Sequence, residues 1–272
     1  MTPEDIATFR HTVYAAGKRL YRPMPWRDDP NPYYVFVSEI MLQQTQVPRV
    51  LQVFPLFVER FPDFATLSLA DMAAILPIWT GMGYNRRARY LRDGAEMIMR
   101  RWAGTLPSDP RKLVELPGIG PNTSGSIAAF AFDQPVVFIE TNIRRVFIHH
   151  FFQDAATVHD KDILKCVEQT LPANQWRQWY WALMDYGTEL ARVVSNPNRK
   201  SRHYVKQSKF EGSTRQVRGA LLKDLSQNGL IAAEHLPTYR GFPQERTETA
   251  VRALIQEGFL VRDEEGNILL AP

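Results

Sequence analysis

The chain has a single cysteine, Cys166, among its 272 residues. One cysteine excludes an intrachain disulfide and any all-cysteine metal or iron–sulfur site. It falls in the helical pattern DILKCVEQTL and reads as a small buried hydrophobe. No apolar run approaches the length needed to cross a bilayer, so no membrane partner is expected. The N-terminal stretch MTPEDIATFRHTVYAAGKRLYR carries acids early and lacks a signal-peptide core, which makes a cytoplasmic protein the default expectation. There is no internal repeat.

What is present is apolar residue in quantity, 44% of the chain, enough for one large domain or two moderate ones. Net charge is a modest +4, but it is unevenly placed. Between Arg192 and Arg218 lie eight Lys or Arg against one acid, Glu211, and a second cluster is Arg86, Arg87, Arg89 and Arg92. Charge runs are usually solvated faces. Two of them beside a phosphate-type turn favour a nucleic-acid footprint.

That turn lies in LPGIGPNTSGSIAAFAFDQPVVFIETNIRRV, Leu116 to Val146. Helical character from Arg111 stops at Pro117. Gly118 and Gly120 free the backbone and place no side chain in front of a ligand. Pro121 suits the first position of a helix of small residues, Thr123 to Phe132. Two helices joined this way leave N–H groups at a positive helix end, where a phosphate fits; a capped helix connection without a ligand is the bland account. The apolar run Val136 to Ile139 then delivers a carboxylate, Glu140, next to Asn142 and Arg144-Arg145.

A second stretch, VFVSEIMLQQTQV from Val35 to Val47, holds one acid, Glu39, among apolar residues. Ser38 is not well placed to neutralise it. Desolvation there would raise its pKa and suit a proton donor. Read from this stretch alone, a helix-edge glutamate facing water is the simpler account. Gln43, Gln44 and Gln46 could bond base edges or sit as ordinary surface amides.

The remaining chain reads as follows. A helix spans 4–20; prolines make 21–27 an extended crossing, and 28–34 is a loop. Three helices fill 48–105, with Ser68 or Asp71 near a start and a break at Gly81-Met82-Gly83-Tyr84-Asn85. Helices return over 147–152, 160–171 and 174–190. Residues from Arg192 read as a linker or an extended DNA-facing arm. Helices at 214–227 and 245–257, then strands at 259–261 and 268–270, outline a winged-helix unit. Such units bind DNA in some proteins and only pack against partners in others.

The strings Pro25-Trp26-Arg27, Val37-Ser38-Glu39-Ile40-Met41-Leu42-Gln43-Gln44-Thr45-Gln46-Val47, Gly81-Met82-Gly83-Tyr84 with Arg87-Ala88-Arg89, and the glycine turn together resemble the helix-hairpin-helix superfamily of DNA glycosylases typified by endonuclease III and MutY, closest to the MutY branch. The resemblance covers roughly residues 5–190. It implies a mainly α fold, two helical lobes with a DNA cleft between them, and the small C-terminal α+β winged-helix-like domain beyond. The corresponding boundaries are 1–190 for the glycosylase domain, 191–212 for a basic linker replacing the family's iron–sulfur segment, and 213–272 for the last domain. The partner implied is double-stranded DNA with a mismatch or lesion; protein partners stay open.

Residue by residue, the resemblance makes Glu39 the acid that protonates the leaving base. Glu140 stands where the family has its catalytic aspartate, one methylene longer, and Asn142 lies beside the reacting sugar. Arg22, Trp26, Asn122 and Trp181 would line the base pocket. Gln44 and Tyr84 would enter the opened duplex. Arg27, Gln43, Met82, Arg87, Gly118, Ile119, Gly120, Asn122 and Thr123 would contact DNA. Asn122 replaces the lysine of bifunctional lyases, so a monofunctional enzyme is expected. No cluster is expected as cofactor, though the hairpin leaves room for a monovalent cation. Trp181 stands where adenine-specific members often carry Gln, and no Nudix-like domain follows. Adenine opposite guanine or 8-oxoguanine is the first substrate expected. Thymine or uracil opposite guanine, a non-catalytic binder of distorted or abasic DNA, and a transcription-type binder led by the C-terminal unit are the alternatives.

Overall fold

Helices make up most of the chain in a computed structural model that describes residues 1–204 and 209–271. In order they are α1 Pro3–Leu20, α2 Pro25–Asp28, α3 Pro32–Leu42, α4 Val47–Arg60, α5 Phe64–Ser68, α6 Met72–Trp79, α7 Arg86–Trp102, α8 Pro110–Leu113, α9 Pro121–Phe132, α10 Thr141–Phe151, α11 Asp160–Thr170, α12 Trp176–Val193, α13 Thr214–Asn228 and α14 Gln244–Gln256. Three short strands accompany the last two helices: β1 Leu230–Ile231, β2 Leu260–Arg262 and β3 Ile268–Leu270. No helix among the described residues is long and apolar enough to cross a membrane.

Helix starts follow side-chain caps. Thr2 and Asp5 form a reciprocal capping box on α1. Asp63 and Asp71 each accept a backbone N–H at 2.7 Å to start α5 and α6. The region 48–105 therefore holds four helices, not three, and Ser68 ends α5 instead of starting a helix. Pro25 and Pro32 sit at the openings of α2 and α3, where a missing N–H costs nothing. The expected extended crossing and loop are thus shorter than the prolines suggested.

The chain divides into two compact units. The first comprises Met1–Glu39, Pro107–Glu115 and the chain from Ile119 to 204; the second comprises Ile40–Leu106, Leu116–Gly118 and the chain from 209 on. In the first, α12 is the central helix. Its aromatic character is explained by burial: Trp179 and Tyr180 are fully enclosed, each worth roughly 2–3 kcal/mol of burial. Two helices reach it through close backbone approaches. A side chain at Gly17 of α1 would meet Ala182, and one at Gly187 would lie 2.5 Å from the Asn142 carbonyl of α10.

The basic segment after α12 is not a free arm. Asn198 is buried and its amide donates to the Thr141 carbonyl at 3.0 Å. Ser201 bridges Val158 in parallel, and the Lys200 ammonium donates to the Phe152 and Gln153 carbonyls. The backbone is pinned to the start and end of α10, while Arg192, Arg199 and Arg202 remain exposed. Lys206, one of the eight cations of this run, lies outside the described residues.

In the second unit, α13 and α14 pack on an antiparallel sheet of order β1-β3-β2, with Leu230 opposite Leu269 and Val261 opposite Leu269. Val217, Leu221, Leu225, Leu254 and Phe259 form its core. This is the winged-helix outline with one strand added: β1 is two residues long and offers no readable alternation. Glu257, just after α14, accepts from Arg86 of α7 at 2.9 Å and from Arg218 of α13 at 2.7 Å. Burial pushes this carboxyl up, but the hydrogen bonds from Arg86 and Arg218 and their charges outweigh it and bring it down to about 2.

Candidate active site

Glu39 is the last residue of the first unit's opening segment, and α9 of the same unit meets it. The Ser126 hydroxyl lies 2.5 Å from Glu39 Oε2 and 3.0 Å from the Thr123 carbonyl. A hydroxyl has one proton and two lone pairs. With Glu39 ionised, Ser126 donates to it. With Glu39 protonated, the acid donates to Oγ and Ser126 turns its own proton to Thr123. Both charge states of Glu39 are therefore bonded, which suits a group that must give up a proton and regain it. Burial raises the Glu39 carboxyl to about 7; Ser126 opposes the rise, the nearby Glu140 charge adds to it and the Arg27 charge opposes it. Glu39 is half-buried and bonded to Ser126, so it is not a free glutamate at a helix edge.

Glu140 is the N-cap of α10. Its Oε1 accepts the N–H of Asn142 at 2.7 Å and of Ile143 at 3.2 Å. Oε2 makes no hydrogen bond among the described residues. Burial raises this carboxyl too, against the two N–H groups and the charges of Arg145 and Arg144. The cap and the positive helix end favour the ionised form, so the two glutamates, which sense each other's charge, differ in what surrounds them.

Asn142 is held in place. Its Oδ1 accepts from Arg145 at 2.7 Å, and the same Arg145 nitrogen donates to the Gly187 carbonyl at 2.6 Å. Asn122 is exposed on α9, and its Oδ1 accepts from the Ile139 N–H at 3.3 Å, one residue before Glu140. Asn122, Asn142, Ser126 and both glutamates thus sit in the first unit.

Two of the expected base-pocket residues, Arg22 and Trp181, meet around Asp185 and Arg27. Asp185, which the sequence reading missed, is 3% exposed. It accepts from Arg22 at 2.7 Å and, in a fork, from Arg27 at 2.7 and 3.2 Å. The Arg27 guanidinium also lies 5.5 Å from the Trp181 ring, which stacks on Phe130. Trp26 is buried. Arg27 is consequently not a phosphate contact: it is a buried cation facing Glu39 and neutralised by Asp185.

Three other expected DNA contacts are also buried, with 4% exposure for Met82 and Arg87 and 5% for Ile119. In the second unit, Arg87 donates to the carbonyls of Ile40, Met41, Gln43, Met82 and Gly83 and to Thr45 Oγ1. It ties the end of α3 to the break before α7, and burial lowers its pKa to about 10. Both terminal nitrogens are engaged within the protein and the third, Nε, is buried, so this cation presents no donor to a phosphate. Met82 supplies one of those carbonyls, and Ile119 is core.

Gln44 and Tyr84 lie at the surface. Both are exposed non-glycine residues with left-handed backbone, φ 60° and 46°. Such strain persists only where surroundings enforce it, and it gathers at functional loops. Gln43 donates to the Gly118 carbonyl at 3.0 Å, so that oxygen of the turn is already engaged. Gly118 has φ 73°, and a side chain there would enter the Tyr90 ring. Gly120 faces open space as N-cap of α9, and Thr123 is half-buried behind it.

The sequence profile of the HhH-GPD superfamily of base excision DNA repair proteins matches residues 37–169, which includes Glu39, the glycine turn and Glu140. Relatives named adenine DNA glycosylase extend the match on both sides. The one from Buchnera aphidicola is 35% identical over 65% of this chain and 50% of its own length. The one from Mycolicibacterium smegmatis is 29% identical over 92% of each chain. The chain is thus similar to the HhH-GPD superfamily over residues 37–169. It spans only half the length of the Buchnera relative. Among solved structures, a thermostable thymine-DNA glycosylase shares the fold, with a TM-score of 0.63, 20% identity and coverage of 72% of this chain and 92% of that one.

The iron–sulfur cluster associated with this superfamily requires four thiolates. The chain has one cysteine, on α11, and among the described residues no three His, Cys, Asp or Glu side chains gather as ligands. The residues present do not fit a cluster. The segment expected to replace it closes on α10 through Asn198, Lys200 and Ser201 instead.

Proposed function

We propose that the chain is a monofunctional, cluster-free DNA glycosylase that hydrolyses the N-glycosidic bond of an extruded base, with adenine opposite guanine or 8-oxoguanine as its substrate. The observation that carries this is a glutamate whose pKa is raised to about 7, set near a second glutamate that caps a helix. Glu39 gives its proton to a ring nitrogen of the base, and the base leaves with the bonding electrons. The electron-poor sugar is stabilised by the Glu140 charge. Ionised Glu39 then takes a proton from the water that attacks the sugar carbon, which restores it. Asn122 offers an amide where a lyase needs an amine, so no Schiff base forms. The names of the relatives support adenine as the base removed.

The test is a stoichiometric incubation with duplexes carrying A:G, A:8-oxoguanine, T:G or U:G, followed by alkaline cleavage. Release of adenine without strand cleavage before alkali supports the proposal. Survival of every duplex defeats it, and release of thymine or uracil alone replaces the substrate.

A further inference from the structure

The second unit contains a groove of about 1340 Å³ that runs from Gln44 and Tyr84, the residues expected to enter the duplex, to the C-terminal helix α13, which the glycosylase reading leaves without a role. One wall is the break at 80–87; the other is a face of α13, closed by Arg240 and Phe242. Its lining has seven Lys or Arg against a single acid, Glu257. Several of the cations are engaged: Arg86 and Arg218 bind Glu257, Arg87 is buried and donates to backbone carbonyls, and Arg240 pairs with Asp224. Lys223 is exposed and has no acid partner among the described residues. The groove is left with positive potential, the complement of a phosphate chain.

Two exposed aromatic rings add a second feature. Phe210 is 59% and Tyr84 41% exposed. Arg215 bridges them, its guanidinium 5.8 Å from the Phe210 ring and its Nη1 donating to the Tyr84 hydroxyl at 3.1 Å. Exposed aromatic rings beside a guanidinium accept unstacked bases of any sequence. The third feature is Gly219, exposed in the interior of α13, where an added Cβ would meet nothing within 4 Å. Glycine weakens a helix there, and its own protein has no need of the space. A bare patch on a groove wall admits a sugar–phosphate chain at close range.

We propose that this groove binds a short unpaired stretch of DNA strand, with bases on the Phe210–Arg215–Tyr84 surface and phosphates along α13 at Gly219 and Lys223. The C-terminal helices are then a DNA-holding element of the enzyme and not only a packing unit. This goes beyond the glycosylase reading and is measured without any base release.

The probe is a fluorescein-labelled oligothymidine, with binding to the full chain followed by anisotropy across a salt series. Lys223→Glu should weaken binding about tenfold and make the log–log salt dependence shallower by about 0.7, because one phosphate fewer is neutralised. Phe210→Ala should weaken it at least about fivefold, and Gly219→Trp should block it. Gly219→Ala should leave it close to wild type while raising the melting temperature, which separates obstruction from misfolding. Wild-type affinity in Lys223→Glu, Phe210→Ala and Gly219→Trp, each melting normally, would overturn the proposal, as would a wild-type chain that does not bind oligothymidine. Salt-dependent binding that requires Lys223 in a chain that releases no base would uphold it and defeat the glycosylase reading instead.

Discussion

The pH dependence of base release follows from one group. An ordinary glutamate, with a pKa of 4.5, carries its proton in about one molecule in three hundred at pH 7. Raised to about 7, Glu39 carries it in about half. The sign is that of an acid form preserved: the competent fraction is nearly complete a unit below 7 and falls through and above it. Single-turnover release should therefore decline about tenfold between pH 8 and pH 9. At the acid end the rate should fall as Glu140 takes up a proton, with a limb above the usual carboxylate range. Ser126 donates to ionised Glu39 and so holds its pKa down; Ser126→Ala should move the alkaline limb upward. The assay is rapid-quench release from an A:8-oxoguanine duplex at saturating enzyme between pH 5 and 9.5. A profile flat to pH 9, or an alkaline limb unmoved by Ser126→Ala, would refute the reasoning.

Other perturbations have defined outcomes. Asp185→Asn removes the carboxylate shared by Arg22 and Arg27 and should cost about 3–5 kcal/mol in urea unfolding, since it strands a buried cation; an unchanged midpoint would contradict the pairing. Arg87→Ala should destabilise by on the order of 3 kcal/mol or more through the carbonyls it leaves unbonded, read as a fall in melting temperature. If Arg87 were a phosphate contact, that variant would instead melt normally and bind DNA less tightly. Glu140→Gln can still cap α10 through its amide oxygen, so its melting should hold while single-turnover release falls about a hundredfold or more; wild-type release would place the sugar-facing charge elsewhere.

Many helices were legible because their caps and prolines are local: Asp71 and Pro121 act within one turn of themselves. The same locality hid α2 and α5, whose openings at Pro25 and Asp63 lead into only four or five helical residues. The two glutamates stood out through the family resemblance, since the stretch around Glu39 alone favours a water-facing acid, and what tunes them was not legible. Ser126 is 87 positions from Glu39, and Asp185 is 158 from Arg27. No spacing announces such pairs. Arg27 and Arg87 were misread for a related reason. An arginine looks the same whether its guanidinium meets a phosphate, a distant carboxylate or the carbonyls of a distant helix end, and only the fold decides. The segment after α12 looked like a linker because it lacks large aliphatics. It is held by backbone hydrogen bonds and one buried amide, for which composition has no signature. β1 escaped notice because two residues cannot show a period.

The central claim is that Glu39 supplies the proton that releases the base. Glu39→Gln keeps shape and hydrogen bonding but has no proton to give. Measured side by side on one mismatched duplex, its affinity should stay near that of the unaltered chain, while its single-turnover release should drop by about a thousandfold or more. Release at the unaltered rate with binding intact would contradict the account.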